Sequence, residues 1–299
     1  MKIEDVYGTL VNGTCEFFHK SGFAKAIIGL SGGIDSALTA AICFDALRHN
    51  NILGVAMPSR YSSIGSVMDA QKLAINLGIK FIMVPIDDIV RSIVGSVQEV
   101  PSDNMTCNFT DGETFDKFAS DPQNATIQNI QARARMIILM GLSNQYGALV
   151  VNTCNLTEDL VGYSTLYGDS SGAIAPLGQV GKLMVYELAK WRNEECLAEP
   201  HSPIPDETIT KAPSAELCPR QTDEGSLGIQ YEVLDPLSAE LNGRMNNGWY
   251  SGVADLIEKY GEEAVDEVTR LITMSAYKRL QAPPSIPINY DKEDQTQIY

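Results

Sequence analysis

In the stretch IIGLSGGIDSALTAA an apolar run leads straight through Ser31, Gly32, Gly33, Ile34, Asp35 and Ser36 into a helical pattern. Consecutive glycines let a backbone approach a ligand closely, and the first turn of a helix offers unpaired N–H groups and a dipole that favours anions. Ser31 and Ser36 add hydroxyl donors, so the turn reads as a cradle for phosphate oxygens. Asp35 would repel those oxygens unless a divalent cation stood between them, so a carboxylate here implies magnesium. A Gly-Gly turn with an Asp-Ser helix cap is the bland alternative, and the strand before and helix after argue against it. Neither of the two commonest nucleotide loops is present. G-x-G-x-x-G is missing, and GQVGKL at 178–183 departs from the Walker loop at Pro176 and Leu183.

Such a loop needs a strand to enter it and a helix to leave it, and the surrounding pattern supplies both. Short apolar runs at 24–31, 52–58, 80–86 and 148–153 read as buried parallel strands. Helical spacing separates them over 34–49, 66–78 and 126–144, with Gly78 as a C-cap. An amphipathic helix through Ile3, Val6, Leu10 and Phe17 precedes the first strand. Strands alternating with helices imply right-handed βαβ units, so the predicted fold class is α/β, a doubly wound parallel sheet flanked by helices. Helices predicted at 181–196, 230–241, 248–259 and 261–275 give it a helical C-terminal part. The polar stretch 98–125, with Pro101 and Pro122, reads as an excursion from the core. Residues 198–228, with Pro200, Pro203, Pro205, Pro213 and Pro219, read as a long functional loop, and 276–299 as an extended tail. No internal repeat divides the chain, and residues 1–299 are expected to form a single domain.

Composition narrows the function classes. With 44% hydrophobic and 20% charged residues the 299-residue chain is neither disordered nor fibrous. Its apolar runs fall short of the roughly 18 residues that span a bilayer. A net charge of −16 argues against a nucleic-acid surface, which demands dense Lys and Arg. Acids near the N-terminus, where an export signal would be basic, point to a cytoplasmic protein. Cys15, Cys43, Cys107, Cys154, Cys196 and Cys218 show no C-x-x-C pair, and His19, His49 and His201 fall in no motif.

The S-G-G-x-D-S loop resembles that of the ATP pyrophosphatases, which adenylate a carboxylate or carbonyl and let a nucleophile displace AMP. NIQARARM (129–136), VVNTCNLTEDLVGYSTLYGD (150–169), GKLMVYELAKWRN (181–193), IPDETITKAPSAELCPRQTDE (204–224) and YKRLQAPP (277–284) further resemble NAD synthetase, so the likeness covers nearly the whole chain. TLYGD, KAPSAEL followed by QTDE, and YKRLQAPP look more like the synthetase domain of glutamine-dependent enzymes, here expected without the amidase domain. The resemblance implies an adenine nucleotide alpha hydrolase-like, Rossmann-like fold. It implies ATP-dependent amidation of deamido-NAD to NAD through an adenylated intermediate, releasing AMP and pyrophosphate, with ammonia as nitrogen donor. ATP is then a co-substrate, magnesium the metal and a homodimer the expected assembly. Whether a separate amidase subunit feeds the chain stays open.

Residue by residue, the resemblance assigns Ser31, Gly32, Gly33, Ile34, Asp35 and Ser36 to the ATP phosphates, and Asp35 and Glu158 to magnesium. Thr153, Lys182 and Ser214 are the further ATP residues; Ser214, with Lys211 as neighbour, lies in a mobile loop, 204–224, that closes over ATP. Arg133, Tyr163 and Lys278 are assigned to deamido-NAD, while Arg135 reads as structural. Asp35, Lys182 and Asp169 form the catalytic set, Asp169 capturing and deprotonating ammonium. Taken singly, Glu158 reads as an exposed helix acid, Lys182 as a solvated first-turn lysine and Lys278 as a cation at a helix end. Leu166 and Ala173 depart from the lysine and aspartate of the short ammonia-dependent enzymes. Two rivals are another ATP pyrophosphatase, such as a tRNA thiolase using Cys154, and a non-catalytic adenine-nucleotide-binding protein of the same fold. The first lacks paired cysteines and a basic face; the second need not keep Glu158, Lys182 and 204–224 together.

Overall fold

The computed structural model describes residues 2–98, 124–196, 199–246 and 253–288. The four apolar runs become β1 (Ala26–Gly29), β2 (Ile52–Ala56), β3 (Lys80–Met83) and β4 (Leu149–Val151). They form one sheet of order β3-β2-β1-β4, and every pairing is parallel. Ile28 stands opposite both Gly54 and Val151 in register, which makes β1 the central strand of the site. The chain leaves β1 toward β2 and β3, then returns to pair β4 on the other side of β1. Between β1 and β4 the strand order reverses, and a crevice opens beyond their carboxyl ends.

Both faces of the sheet are covered because side chains alternate along each strand. Ile28 packs into a core with α1 (Ile3–Ser21), α2 (Ile34–Leu47) and α3 (Ile64–Leu77). Ile27 points the other way, toward Ile86 before α4 (Asp87–Gln98) and Met136 and Leu139 of α5 (Ala125–Tyr146). A separate helical core joins α6 (Leu156–Val161), α10 (Tyr231–Asn246), α11 (Ala254–Tyr260) and α12 (Glu262–Met274) through Leu160, Leu234, Leu256 and Val268. Between the sheet and that core lies α7 (Lys182–Glu194), and the short helices α8 (Asp206–Thr210), α9 (Asp223–Leu227) and α13 (Ala276–Arg279) complete the set. Among the described residues no helix is long and apolar enough to cross a membrane.

Several elements differ from the sequence reading. Helix α4 fills 87–98, where its first-turn acids Asp87 and Asp88 suit a helix start, yet no helix was expected there. Helix α6 is only six residues between the Asn155 cap and left-handed Gly162, too short for a period to show. Helices α8 and α9 interrupt the 198–228 stretch. The expected extended tail opens on the helical turn α13 before Ser285 bridges to Ala175. Of the expected excursion at 98–125, Gln98 closes α4 and Asn124 caps α5, while 99–123 lie outside the described residues, as do 289–299 of the tail.

One buried ion pair ties three helices behind the site. Arg192 of α7 is fully buried and donates through Nε (2.8 Å) and Nη2 (3.1 Å) to Asp45 of α2, which also accepts from Tyr7 of α1 at 2.6 Å. Removing one partner of such a pair strands the other charge in the core. Arg192→Met is therefore expected to lower unfolding stability by about 3–5 kcal/mol, read from urea denaturation; a shift within error would show that Asp45 does not depend on the pair.

Candidate active site

The loop beyond β1 is held open by its own side chains. Gly32 has φ +79°, and a Cβ there would lie 2.1 Å from the Ser66 carbonyl oxygen, so the loop and the start of α3 approach at a distance only glycine permits. Ser31 Oγ accepts from Gly33 N (3.1 Å), and Ser36 Oγ donates to the Gly33 carbonyl (3.0 Å). Gly33 is the N-cap of α2 and no side chain caps it, which leaves helix-start N–H groups for a ligand.

Behind the loop stands Lys182, 1% exposed. Its Nζ donates to Asp35 Oδ2 at 2.6 Å and to Glu158 Oε1 at 3.1 Å. Burial acts to lower this ammonium's pKa, but Asp35 and then Glu158 outweigh it and hold the charge well above the ordinary lysine range. Burial likewise raises Glu158, with Lys182 pulling it down and Asp35 pushing it up. Asn155 joins the two acids: its Nδ2 donates to Asp35 Oδ1 (2.8 Å), while its Oδ1 caps α6 by accepting from Glu158 N (3.0 Å). The position of Lys182 is fixed through its backbone. Lys182 N donates to Thr157 Oγ1 (3.0 Å), Leu183 N donates to Asp235 Oδ2 (2.9 Å), and Thr157 Oγ1 also bonds Asp235. A Cβ at Gly181 would come within 2.4 Å of Asp235, so the helix start sits directly on α10.

The opposite wall comes from the segment between α8 and α9. Lys211 Nζ reaches Ser66 Oγ (3.1 Å) and Asp69 Oδ2 (2.9 Å), while Glu216 accepts from Ser63 N (3.1 Å) and Ser66 Oγ (2.8 Å). Ser214 accepts from Glu216 N and donates to the Gln221 carbonyl, which shapes the turn. A cavity of about 270 Å³ lies between these walls.

Ser31, Gly33, Ile34, Asp35, Ser36, Thr153, Glu158, Tyr163, Asp169, Lys182, Lys211 and Ser214 all line that cavity. Arg133 and Lys278 do not. Arg133 is exposed on α5 and donates from Nε to the Leu166 carbonyl (3.1 Å); Lys278 Nζ holds the carbonyls of Gly162 (2.7 Å) and Ser164 (2.6 Å). Together they grip the loop 162–166. Burial lowers Lys278, with Asp169 opposing and Arg133 adding to the shift. Asp169 is exposed at the cavity edge, where the crowded wall raises its carboxyl against the N–H of Thr165, which donates to Oδ1 at 2.6 Å. Asp159, at the same end, is raised to about 6 by burial and by Asp169, with Arg279 opposing.

Four residues in or beside the cavity escaped the sequence reading. Arg135, taken there as structural, lines it and donates to the Met57 carbonyl (3.0 Å), and burial lowers its guanidinium to about 10. Asn155 carried a signal, since N-L-T-E is a helix-start pattern with a cap and an acid three residues on. Asp223 and Tyr231 carried none beyond their types. Cys154 lines the cavity too, but its buried thiol is pushed well above its ordinary range, burial acting first and Asp169 next, which suits neither thiolate nucleophile nor sulfur carrier.

A parallel sheet with a switch point and an uncapped helix start after a glycine turn define the adenine nucleotide alpha hydrolase-like fold class. The NAD synthase family model matches residues 6–282, and the chain belongs to that family. It is 41% identical over 281 residues to the glutamine-dependent NAD(+) synthetase of Acinetobacter baylyi, covering 93% of this chain and 47% of that protein. It thus spans about half the length of the curated relatives it matches. The glutamine-dependent NAD+ synthetase of Acinetobacter baumannii, solved in complex with ADP, is 37% identical with TM-score 0.62, covering 96% of this chain and 47% of that one. The NMN synthetase of Francisella tularensis is 25% identical with TM-score 0.70, covering 97% of this chain and 100% of that one.

Asp159 supplies a test of the electrostatics at this end of the cavity. Unfolded, it releases its proton near the ordinary value of about 3.9; folded, it does so at about 6. Between those values the native state holds more protons, so this residue's contribution is fully present below pH 4 and is lost as pH rises to 6. Asp159→Asn is expected to match wild type near pH 4 and to exceed it at pH 7 by on the order of 2 kcal/mol. Parallel urea midpoints at both pH values would contradict this.

Proposed function

We propose that the chain forms NAD by amidating deamido-NAD at the expense of ATP, in two half-reactions. A nicotinate carboxylate oxygen attacks the α-phosphorus of ATP and expels pyrophosphate; ammonia then attacks the carbonyl carbon of the mixed anhydride and expels AMP. Neither half needs a protein nucleophile, in keeping with a cavity that offers phosphate donors and charge rather than an activated thiol or hydroxyl. The observation that carries the reading is the buried Lys182 ammonium shared by Asp35 and Glu158 directly behind the uncapped loop. Loop N–H groups and Lys182 would hold the pyrophosphate as its charge develops, and the Glu216 and Lys211 wall would keep water from the anhydride.

The donor set also fits magnesium. Asp35 and Glu158 are hard oxygen ligands brought together on either side of Lys182 Nζ, and magnesium is commonly held by one or two carboxylates plus substrate phosphates. When bound, the ion would neutralise the departing pyrophosphate. A nucleotide sensor would need the loop alone; the doubly paired Lys182 favours a catalyst.

AMP formation from ATP, magnesium and deamido-NAD, with ammonium or glutamine as sole nitrogen source, is the deciding assay. Ammonium-dependent AMP and NAD are expected, rising with pH as free ammonia increases, with no turnover on glutamine. Asp35→Asn is expected to lower the rate by about a hundredfold or more while the protein stays folded; unchanged turnover would remove Asp35 from the mechanism.

The same reading makes 204–224 a lid. Its polar hold on α3 rests on Lys211, Glu216 and the exposed Glu207–Lys72 pair, contacts that can break to admit substrate. Hydrogen exchange across 204–224 is expected to slow when ATP and deamido-NAD bind together; equal exchange in free and doubly liganded protein would mean a static wall.

A further inference from the structure

Among the described residues the cavity is lined by three cations, Lys182, Lys211 and Arg135. Two are already paired, Lys182 with Asp35 and Glu158 and Lys211 with Asp69. Arg135 is not. Its Nε donates to the Met57 carbonyl at 3.0 Å, but Nη1 and Nη2 have no hydrogen-bond partner and no carboxylate at ion-pair distance among the described residues. The side chain is half-buried, and both nitrogens are open to water rather than sealed in protein. The acids whose fields reach it are engaged elsewhere: Asp169 by Thr165 N, Glu216 by Ser63 N and Ser66 Oγ, and Asp87 by Arg60 N at 3.1 Å. The position is set by the helix. Ala132, Arg135, Met136 and Leu139 follow one another at i, i+3, i+4 and i+7, so one face of α5 lines the cavity and carries the guanidinium into it.

The chemistry of the missing partner follows. With Nε occupied, a guanidinium offers donors on Nη1 and Nη2 and no acceptor, which matches an anion with two oxygens in one plane. The proposed reaction brings two kinds of anion, phosphates and a ring carboxylate. The phosphates have their donors at the start of α2 and at Lys182 of α7, whose helices pack on the Ile28 face of the sheet. Arg135 comes from α5, which packs on the Ile27 face. In-line displacement places the attacking and leaving oxygens on opposite sides of phosphorus, and two opposed anion holders meet that demand. Ala132, Met136 and Met57, which line the cavity beside the guanidinium, suit a flat aromatic ring.

Resting on the function proposed above, we infer that Arg135 holds the nicotinate carboxylate of deamido-NAD and distinguishes this acid from the product amide. Amidation replaces one acceptor oxygen by an NH2 donor and removes the negative charge, so N–H then faces N–H and the fork loses its partner. Substrate is thereby held and product released by the same side chain. Arg133, given the dinucleotide contact by the sequence, lies outside the cavity with its Nε on the Leu166 carbonyl.

The test titrates the full chain calorimetrically with deamido-NAD and with NAD, beside Arg135→Gln, which can still donate to the Met57 carbonyl. Wild type is expected to bind the acid at least about tenfold more tightly than the amide, and Arg135→Gln to bind the two within about twofold, the loss falling on the acid. The KM of the variant for ATP is expected to stay within about twofold of wild type. A preference kept by Arg135→Gln, or equal losses for acid and amide, would overturn the assignment. Arg135→Lys, which keeps the charge and loses the fork, is expected to retain only part of the preference. Full preference in Arg135→Lys counts against recognition by the fork, and this variant decides the matter should Arg135→Gln fail to fold. A wild-type preference that Arg135→Gln abolishes supports the site even if the wild type makes no AMP. A wild type that makes NAD yet binds acid and amide equally sinks the site and leaves the reaction standing, and one that binds neither dinucleotide fails both.

Discussion

The structure is organised around one charge. Lys182 carries a full positive charge in a place almost closed to water, and desolvating an ammonium costs several kcal/mol unless paired and hydrogen-bonded. Asp35 and Glu158 supply that pairing from opposite sides of the switch point, one after β1 and one after β4. Each acid needs the other's surroundings. Asn155 bonds Asp35 with one end of its amide and caps the helix of Glu158 with the other, so displacing either acid frays both the loop and α6. An ion pair of this kind is weak evidence for stability. On the proposed function it is charge held in readiness for a ligand richer in negative charge.

Every larger unit meets at that point. The sheet brings in Asp35, the helical core of α6, α10, α11 and α12 brings in Glu158, and α7 enters between them with its first turn pinned to Asp235. The backbone of Lys182 is thereby fixed on the helical core while its side chain reaches across to the sheet. Arg192, about three turns along α7, ties the other end of the same helix to Asp45 of α2. The segment 211–217 closes the remaining side through contacts to the start of α3, the helix whose Ser66 carbonyl also meets Gly32. Loop and wall share an anchor, so movement of one is felt at the other.

Much of this was legible in the amino-acid sequence. Local patterns name the loop: Gly32 is demanded by a positive φ, and the apolar run before it and the helical spacing after it fix strand and helix. Alternation of β and α predicts a parallel sheet, and with it the side on which ligands bind. Short elements without a full period, such as α6, or at the edge of a polar stretch, such as α4, do not declare themselves.

What only tertiary structure decided is which charges meet. Lys182 and Asp35 lie 147 residues apart, and nothing local distinguishes a first-turn lysine that is solvated from one buried between two acids. The same holds for Arg133 and Arg135, two positions apart on α5 and so on different faces, of which one grips a loop outside the cavity and the other forms its wall. Asp223 looks in sequence like any acid opening a short helix. Its burial exists only because the Pro213 carbonyl and the Tyr231 hydroxyl, both distant in sequence or in the next helix, bond it in place. Residue type and spacing set which backbone shapes are accessible, since steric and hydrogen-bonding preferences act over a few residues. The pairing of buried charges depends on strand order and helix packing, which bring distant segments within reach of one another and remove the water that would otherwise make each charge indifferent to its neighbours.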